Sequence, residues 1–356
     1  MSKGGTRVVV AMSGGVDSSM TAAVLKKEGY EVIGATMRLW TEEDGDMPAA
    51  HRRCCSAEEV EDARRVCQIL DIPFYVLNFE PQFCEYVVDY FCGEYLRGRT
   101  PNPCIACNKR IKFDLLLNKA LALGADYLAT GHYARIEVRD SKYVLLKATD
   151  AAKDQSYVLY GLGQSELKHL LFPMGSFNKK QIRNLAREMG LPVWDKEESQ
   201  EICFITNGDY HEFLARRSLN QPGDIVNSEG KLLGKHAGIG FYTVGQRRGL
   251  GLASKEPLYV LAIDPVDSRV IVGTNEQLLR KELRAGELNY ISGEPPPQPV
   301  AVTAKIRYKS PEARAVLYPE GQRARIVFEE PQRAITPGQA VVFYDGDIVL
   351  GGGVIE

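Results

Sequence analysis

The sequence predicts an α/β protein in three parts: an N-terminal doubly wound parallel sheet, a small mixed α/β central domain and a C-terminal β-barrel. Over the first 130 residues, short apolar runs alternate with segments of helical periodicity, which is typical of a parallel sheet covered by helices. Beyond about residue 220 the helical period fades, and short β-branched runs alternate with Gly, Pro, Asn and Asp. The 356 residues also exceed the roughly 250–300 that one hydrophobic core supports. We therefore expect domains over residues 1–215, 216–282 and 283–356.

The elements of the first domain follow in a regular order. The apolar run at 8–12 ends in glycines, which is typical of a buried parallel strand, and a helix follows from about 18 to 27. The segment Ser56-Ala-Glu-Glu59 predicts a capping box at the start of the next helix. The other predicted elements are strands at 31–39, 74–79 and 127–130, helices at 56–70 and 82–96, a Pro-rich loop at 98–108, and a helix from there to 123.

The pattern changes after Gly131. Residues 134–147 predict a β-hairpin, and residues 164–190 predict two helices, the second capped by Asn178. In the β-rich remainder, strands are expected at 258–263, 270–273, 300–306 and 340–344.

The charge balance limits how the protein could meet a nucleic acid. With 44 basic and 46 acidic residues, the net charge of −2 excludes a uniformly basic coat. Two segments, 95–113 and 231–255, each carry five Lys or Arg side chains and no acid. Each segment is either a local phosphate-binding patch or an ordinary solvated face.

The cysteines and the chain start bear on the compartment. Residues 1–5 are polar or small, and no apolar run approaches the roughly 20 residues of a membrane span, so a cytoplasmic protein is expected. All eight cysteines lie within the first 203 residues, and in a reducing compartment such a cluster indicates chemistry or metal binding. Cys54 and Cys55, which follow His51, are expected in an ordinary loop, although metal binding is the alternative.

The segment Ser13-Gly-Gly-Val-Asp-Ser-Ser19 predicts a phosphate-binding loop between the first strand and the first helix. Glycines let backbone amides turn toward an anion, and the helix N-terminus adds partial positive charge. The serine hydroxyls are further donors, and Asp17 could orient a metal ion or a backbone amide. The loop is neither a Walker motif nor G-x-G-x-x-G, and the alternative is a tight turn without a ligand.

The segment Thr100-Pro-Asn-Pro-Cys-Ile-Ala-Cys-Asn-Lys109 is the second strong motif. Its prolines stiffen a loop that would hold Cys104 and Cys107 near the N-terminus of a helix starting at about residue 108. A helix N-terminus and nearby basic residues favour a thiolate, which makes Cys107 a candidate nucleophile. Cys203 lies in an apolar run and, from the residues alone, is more typical of a core cysteine. Three thiols at Cys104, Cys107 and Cys203 could also hold an iron–sulfur cluster or zinc.

The S-G-G-V-D-S segment resembles the pyrophosphate loop (PP-loop) of the N-type ATP pyrophosphatases. These enzymes, which share an adenine nucleotide alpha hydrolase-like fold, cleave ATP between the α and β phosphates and activate a substrate oxygen as its adenylate. Four further motifs are T-P-N-P-x-x-x-C-N-K, Ala129-Thr-Gly-His-Tyr-Ala134, Lys153-Asp-Gln-Ser-Tyr157 and I-C-F-I. With these, and with Thr243-Val-Gly-Gln-Arg-Arg-Gly-Leu-Gly251, the chain resembles the bacterial tRNA-specific 2-thiouridylases over essentially its whole length.

The resemblance implies a role for each matching residue. Cys107 would be the catalytic nucleophile and Cys203 the carrier of persulfide sulfur. The residues that would bind ATP are Ala11, Met12, Ser13, Gly14, Gly15, Val16, Asp17, Ser18, Met37 and Gly131. The residues that would meet the target base are Asn102, Pro103 and Cys104. The residues that would contact tRNA are His132, Lys153, Asp154, Gln155, Arg307, Tyr308 and Gln339.

The resemblance also implies the reaction, which is a tRNA-uridine 2-sulfurtransferase activity. With ATP and Mg²⁺, the C2 oxygen of the wobble uridine in tRNAs of the Lys, Glu and Gln types would be adenylylated. Sulfur from a donor protein fed by a cysteine desulfurase would then replace that oxygen, releasing AMP and pyrophosphate and leaving a Cys107–Cys203 disulfide. We expect a monomer that does not contact a membrane. An iron–sulfur cluster is an alternative that the resemblance does not favour.

Several assignments keep a structural alternative. Several family members have Asp where this chain has Cys104, which puts an acid–base role at that position in doubt. His132 could be a core histidine, Lys153 and Asp154 a solvated turn, and the pair Arg307 and Tyr308 an ordinary strand surface. Two other functions are open: a different ATP pyrophosphatase enzyme, such as a ligase or an RNA cytidine thiolase, and a tRNA-binding protein with a structural metal–thiolate site.

Overall fold

The computed structural model describes residues 5–40, 57–197, 202–205, 210–217 and 221–356. His51, Cys54, Cys55 and the start of the predicted capping box lie outside the described residues. Within the described ranges, no helix is long and apolar enough to cross a membrane.

The first part of the chain is built on a parallel sheet of five strands, as predicted. Its order is β3-β2-β1-β4-β7, and every neighbouring pair is parallel. A short hairpin, β5–β6, is inserted before the last strand. The strands are β1 Arg7–Ala11, β2 Glu31–Arg38, β3 Phe74–Asn78, β4 Tyr127–Ala129, β5 Ala134–Arg139, β6 Lys142–Lys147 and β7 Leu170–Leu171.

Helices cover both faces of this sheet, because side chains alternate across the central strand β1. Val8 and Val10 enter the core under the first helix, whereas Val9 and Ala11 enter the core on the opposite face. The helices are α1 Val16–Lys27, α2 Ala57–Ile69, α3 Glu80–Phe83, α4 Tyr90–Leu96, α5 Pro103–Ala106, α6 Leu117–Ala122, α7 Gln164–Leu167, α8 Lys179–Glu188 and α9 Tyr210–Arg216. A π-helical segment, Cys84–Asp89, joins α3 to α4, and another, Cys107–Leu116, joins α5 to α6.

One predicted boundary is wrong. The helix that carries Cys104 and Cys107 begins at Pro103, not at about residue 108. Asn102 caps it, its Oδ1 accepting hydrogen bonds from the amides of Cys104 at 3.1 Å and Ile105 at 3.4 Å. Asn is a preferred N-cap, and Pro at the first helical position has no N–H to leave unsatisfied. The Pro-rich segment therefore starts the helix instead of delaying it.

The middle of the chain is a small mixed unit around a four-stranded sheet of order β10-β11-β8-β9. Its own core contains Ile225, Val260, Val270 and Val272, each of which is fully buried. The strands are β8 Gly223–Asn227, β9 Leu232–His236, β10 Tyr259–Asp264 and β11 Arg269–Gly273.

The C-terminal part is a six-stranded barrel, which confirms the predicted fold class. Its order is β12-β15-β14-β13-β16-β17, and β12 also pairs with β17, which closes the barrel. The strands are β12 Leu279–Tyr290, β13 Val300–Lys305, β14 Ala313–Glu320, β15 Arg323–Arg333, β16 Ala340–Asp345 and β17 Ile348–Ile355. The hairpin β5–β6 extends the barrel sheet where Leu146 pairs with Ile348, so the first part and the barrel share one sheet.

Candidate functional site

The glycine-rich loop connects the carboxyl end of β1 to the start of α1, where a helix N-terminus meets the edge of a parallel sheet. Ser18 organises the loop: its Oγ accepts from the Ser13 amide at 3.1 Å, lies 3.2 Å from Ser13 Oγ, and donates to the Gly15 carbonyl at 3.1 Å. Backbone amides at a helix N-terminus favour an anion there. The local geometry matches the phosphate loop predicted from the sequence.

Two glycines are required here by close approach. Gly14 has a φ of +72°, and a Cβ on it would lie 2.3 Å from the carbonyl oxygen of Glu59 in α2. A Cβ on Gly131, just after β4, would lie 2.9 Å from both the Asp17 carbonyl carbon and the Ser18 amide nitrogen. The loop is therefore held between α2 and the end of β4, and no other residue type fits these two positions.

The carboxylate of Asp17 is bound by two side chains from distant parts of the sequence. Lys179 Nζ lies 2.8 Å from each carboxylate oxygen, and the Tyr133 hydroxyl donates to Oδ1 at 2.7 Å. The ammonium group also lies 5.6 Å from the centroid of the Tyr133 ring. Lys179 is the first residue of α8, where Asn178 caps the helix as predicted.

A second lysine reaches the same loop. Lys196 Nζ donates to the Gly14 carbonyl at 3.2 Å and to Asp62 Oδ2 at 2.7 Å. Nothing in the local sequence marks Lys179 or Lys196 as a loop contact, because each is 162 or more positions from its partner in the loop. The cap at Asn178 predicted where α8 begins, but not which way the first side chain of the helix points.

Met37, predicted to contact ATP, lies on β2 and is 9% exposed. Its side chain is part of the core on the face opposite α1. Only its position near the carboxyl end of β2, beside the glycine-rich loop, favours a role with ATP.

The structure brings Cys104 and Cys203 into electrostatic reach of each other, although 99 positions separate them (203 − 104). Cys104 and Cys203 are exposed as residues, whereas Cys107, one helical turn beyond Cys104, is buried. Desolvation by the surrounding protein, followed by the Cys203 thiol, raises the pKa of Cys104, and the charge of Lys112 opposes that rise. Cys104 is therefore less ionised at neutral pH than an ordinary thiol, contrary to the effect expected from a helix N-terminus.

Cys203 is held in place by its neighbour Phe204. The Phe204 side chain is 1% exposed and sits in an aromatic cluster. Its ring centroid lies 5.8 Å from that of Phe83, 5.4 Å from that of Phe91 and 5.4 Å from that of Phe213. The apolar run around Cys203 thus anchors the segment, while Cys203 is itself an exposed residue, so the core role expected from the residues alone is wrong.

A chain of neighbouring groups joins the glycine-rich loop to the thiols. Gly131 contacts the loop, and the next residue, His132, lies within electrostatic reach of Lys112. Lys112 in turn lies within electrostatic reach of Cys104. The glycine-rich loop lies at the carboxyl edge of the parallel sheet, where ligands of open α/β sheets bind, and this chain of groups leads from the loop toward Cys104.

The thiols are not arranged as a ligand set in the part of the chain that the structure describes. No group of three or more His, Cys, Asp or Glu there is placed to hold a metal ion. All three of Cys104, Cys107 and Cys203 are among the residues searched.

Among the predicted tRNA contacts, His132 is buried. It is 8% exposed, its Nδ1 lies 2.6 Å from Thr130 Oγ1, and its ring packs against Phe113 and Phe172. Burial, with the charge of Lys112 adding to it, lowers its pKa well below that of an ordinary histidine, so the ring is neutral. A direct contact with RNA would require this ring to become exposed.

The segment Lys153–Gln155 is half-buried, and two of its side chains serve the fold. Asp154 accepts from the amides of Ala148 at 2.9 Å and Ser156 at 3.3 Å. Gln155 Oε1 accepts from the amide of Tyr133 at 3.0 Å. The segment is thus an ordered turn whose side chains bond to neighbouring main chain, and not the solvated turn given as the alternative.

The barrel residues predicted to contact tRNA surround a cavity of about 590 Å³ where the three parts of the chain meet. Arg307 and Gln339 line it together with Thr100, Thr243 and Arg248. Gln339 Nε2 donates to the Thr100 carbonyl at 2.9 Å, and Arg307 donates to the Thr336 hydroxyl at 2.6 Å. Tyr308 lies nearby, its hydroxyl 3.3 Å from the carbonyl of residue 154.

Most cations of the two acid-free basic segments are exposed. In the first, Arg97 and Arg99 pair with Glu94 at 2.9 and 2.7 Å, and the exposed cations are Arg97, Lys109 and Arg110. In the second, Lys235 pairs with Asp224 at 2.8 Å. All of its cations are exposed, namely Lys231, Lys235, Arg247, Arg248 and Lys255.

Comparison with known proteins covers the whole chain. The family model described as "tRNA methyl transferase HUP domain" matches residues 6–207, the "tRNA methyl transferase PRC-barrel domain" matches 211–274, and the "Aminomethyltransferase beta-barrel domain" matches 280–355. Among curated proteins, the tRNA-specific 2-thiouridylase MnmA of Moorella thermoacetica is 55% identical over 98% of this chain and 99% of its own. The proteins of that name from Acetivibrio thermocellus and Clostridium perfringens are 52% and 51% identical, each over 98% of this chain and 99% and 98% of their own.

Solved structures are more distant. A 4-thiouridine synthetase–RNA complex with bound ATP has a TM-score of 0.39 and 17% identity, over 60% of this chain and 50% of that one. At this level the likeness carries no argument about function.

Proposed function

The chain belongs to the tRNA-specific 2-thiouridylase family, and from this membership we propose the reaction it catalyses and the residues that act in it. It is an ATP-dependent sulfurtransferase that converts a uridine of tRNA to 2-thiouridine. The target is the wobble uridine of tRNAs of the Lys, Glu and Gln types. The observation that supports the assignment of residues is the hydrogen-bonded glycine-rich loop at the carboxyl end of β1, together with the electrostatic reach between Cys104 and Cys203.

ATP binds over the loop from Ala11 to Ser18, with its phosphates facing the loop amides and the serine hydroxyls. Lys179 and Lys196, both within hydrogen-bonding distance of loop atoms, lie where they can meet the pyrophosphate charge. Met37 and Gly131 line the same pocket. Asp17 offers the carboxylate that a Mg²⁺ ion needs besides substrate phosphates. When bound, that ion would neutralise charge on the departing pyrophosphate.

The target base enters beside the N-terminus of α5. A base must leave its stack before its ring atoms can be reached, so the uridine is flipped toward Asn102, Pro103 and Cys104. Asn102 already uses its Oδ1 to cap the helix, so its amide Nδ2 is the group it can offer the base. The C2 oxygen attacks the α phosphorus of ATP, the bond to the β-phosphate oxygen breaks, and pyrophosphate leaves.

Sulfur transfer uses the thiols. Cys203, an exposed cysteine, receives a sulfane sulfur from a donor protein and becomes a persulfide. In one route the terminal sulfur attacks C2 of the adenylated base directly, and Cys107 then attacks the Cys203 sulfur, which breaks the S–S bond and frees the thiolated base. In the other route Cys107 attacks the Cys203 sulfur of the persulfide first and releases hydrosulfide, which attacks C2. In both routes the C2–O bond breaks, AMP leaves, and a Cys107–Cys203 disulfide remains to be reduced by an external thiol. Cys104, whose pKa is raised, stays protonated at neutral pH beside the target base.

The three parts of the chain would be domains with boundaries at about residues 215 and 282, each with its own role. The first part holds ATP, the thiols and the target base, and the middle part and the barrel hold the tRNA. The proposed tRNA contacts are Lys153, Asp154, Gln155, Arg307, Tyr308, Gln339 and, once uncovered, His132. The cavity lined by Arg307 and Gln339 supports this division, because the three parts meet there. The protein would act as a monomer in the cytoplasm, with a sulfur-donor protein fed by a cysteine desulfurase.

The test is nucleoside mass spectrometry on unmodified tRNA-Lys, tRNA-Glu and tRNA-Gln transcripts. They are incubated with the protein, ATP, Mg²⁺ and a persulfide or sulfide source. The expected result is exchange of one oxygen for sulfur at the wobble uridine, with AMP and pyrophosphate as co-products. Absence of the exchange with all three tRNAs, while ATP is still converted to AMP, would overturn the assigned substrate.

Three single-cysteine variants test the assigned thiols. Cys203→Ser and Cys107→Ser are expected to abolish thiolation by a persulfide donor while tRNA binding is retained. Cys84→Ser is the matched control, since this half-buried cysteine lies in the helix beneath Phe204 and has no role in the reaction. Retained thiolation in Cys203→Ser would refute the role of Cys203 as the sulfur carrier.

A further inference from the structure

Tyr133 connects two segments that the proposed function gives to different ligands. It lies in the short connection between β4 and β5 and is 3% exposed. On one side is the loop that holds ATP, and on the other is the turn Lys153–Gln155, which contacts tRNA in the proposed function. No motif or comparison assigns a role to this tyrosine.

On the ATP side, the contact is a hydrogen bond to a charged group. The Tyr133 hydroxyl donates to Asp17 Oδ1 at 2.7 Å, the same oxygen that Lys179 Nζ approaches to 2.8 Å. The lysine ammonium also lies 5.6 Å from the centroid of the tyrosine ring. Tyr133 therefore helps to fix the Asp17 carboxylate in α1 and the Lys179 ammonium group that pairs with it.

On the tRNA side, the contact is a pair of hydrogen bonds with Gln155. The Tyr133 amide donates to Gln155 Oε1 at 3.0 Å, and the Gln155 amide donates to the Tyr133 carbonyl at 2.8 Å. Asp154 anchors the same turn through the amides of Ala148 and Ser156. A shift of this turn must therefore displace the main chain of Tyr133.

We infer that Tyr133 is a positioning residue that couples tRNA binding at Lys153–Gln155 to the arrangement of Asp17 and Lys179 in the ATP loop. The inference rests on the proposed function for its two ligands. The buried tyrosine is hydrogen-bonded at both its main chain and its hydroxyl, so a movement of the turn reaches the Asp17 carboxylate through this side chain. Coupling of two sites through one element is reciprocal: tRNA then tightens nucleotide binding by the same factor by which nucleotide tightens tRNA binding.

The experiment measures this factor directly. The dissociation constant of an ATP analogue with an α,β-methylene bridge is determined with Mg²⁺, in the absence and in the presence of saturating unmodified tRNA-Lys transcript. The analogue cannot be cleaved, so binding is measured without adenylylation. Tyr133→Phe removes only the hydroxyl. Tyr127→Phe is the matched control, because Tyr127 packs against the same core on the neighbouring strand β4.

In the unmodified protein and in Tyr127→Phe, tRNA is expected to tighten analogue binding by about 5-fold to 20-fold. In Tyr133→Phe the factor is expected to fall to within about 2-fold of unity, because the lost bond to a charged acceptor corresponds to about 10-fold in an equilibrium constant. The affinity for tRNA alone is expected to stay unchanged. An unchanged coupling factor in Tyr133→Phe, or no coupling in the unmodified protein, would overturn the inference.

A second pair of variants tests the other end of the connection. Gln155→Met leaves the Tyr133 amide without its acceptor, whereas Gln155→Glu keeps an oxygen there. If Gln155 acts only on tRNA, both variants weaken tRNA binding and leave the coupling factor intact, which would contradict the inference. The expected result is that Gln155→Met loses the coupling and Gln155→Glu retains most of it. Thermal melts of all four variants show whether a loss reflects unfolding.

The inference and the proposed function fail in different ways. If the unmodified protein forms no 2-thiouridine, the proposed function fails. If it forms 2-thiouridine normally but tRNA and nucleotide bind independently, the function stands and the coupling through Tyr133 is wrong.

Discussion

Replacing Lys179 by Met tests the ion pair between Lys179 and Asp17 in the ATP loop. The ammonium group lies 2.8 Å from both oxygens of Asp17, and the side chains are 12% and 30% exposed. At an effective dielectric constant of about 20, two unit charges about 3 Å apart attract each other by about 5 kcal/mol. Desolvation offsets part of this, and breaking a buried pair costs about 3–5 kcal/mol. Because Asp17 is partly exposed, we expect Lys179→Met to lower the free energy of unfolding by about 2–3 kcal/mol.

The same change should weaken ATP binding. The loop loses a cation that is placed to meet the pyrophosphate, and a charge-assisted hydrogen bond is worth about 1.5–3 kcal/mol, or roughly 10-fold to 150-fold. The assay is ATP-dependent thiolation of tRNA-Lys transcript, with the KM for ATP determined at saturating tRNA. Urea denaturation gives the stability in parallel.

Lys180→Met is the control for Lys179→Met. Lys180 is the next residue of α8 and is exposed, so its replacement removes the same charge from the same turn of helix without touching Asp17. We expect its KM for ATP and its stability to match those of the unmodified protein. If Lys179→Met and Lys180→Met have the same KM for ATP, Lys179 stabilises the loop only, and its assigned contact with pyrophosphate is refuted.

Three further predictions concern the thiol helix and the loop. Desolvation and Cys203 raise the pKa of Cys104, so its thiolate forms at a higher pH than that of an ordinary thiol. The rate of Cys104 alkylation by iodoacetamide should therefore increase only at higher pH than for an ordinary thiol. In Lys112→Met, which removes the opposing charge, the increase should occur at still higher pH. An alkylation profile identical in both proteins would contradict this. Asn102→Ala removes the cap of α5 and should lower the free energy of unfolding, measured by urea denaturation, by about 1 kcal/mol. Thiolation should also fall, because Cys104 lies in the first turn of this helix. Unchanged stability would argue against the cap. Gly14→Ala should fail to bind ATP or to fold, because its Cβ would meet a backbone oxygen of α2. Gly29 is also at positive φ but has open space around it, so Gly29→Ala should melt a few degrees lower and remain active.

Much of the fold was predictable because its signals are local. Apolar runs, capping residues and turn residues placed the parallel sheet, the hairpin 134–147, the cap at Asn178 and the change to β-structure. The start of the thiol helix was predicted too late, since the prolines were interpreted as a loop although one of them occupies the first helical position. Nothing in the sequence indicated that the hairpin β5–β6 would extend the barrel sheet, since Leu146 and Ile348 are about 200 positions apart.

For the site, the sequence by itself determined which residue types are present: the glycine-rich loop, the cysteines and the motifs that identify the family. Those depend on short stretches of chain, and the resemblance to the family rests on their order. Only the tertiary structure decided which residues meet. It pairs Lys179 with Asp17 and brings Cys203, next to the buried Phe204, within electrostatic reach of Cys104. It also buries His132. The physical reason is that these contacts join segments far apart in the chain, and their geometry is set by the packing of whole elements, which local sequence patterns do not encode.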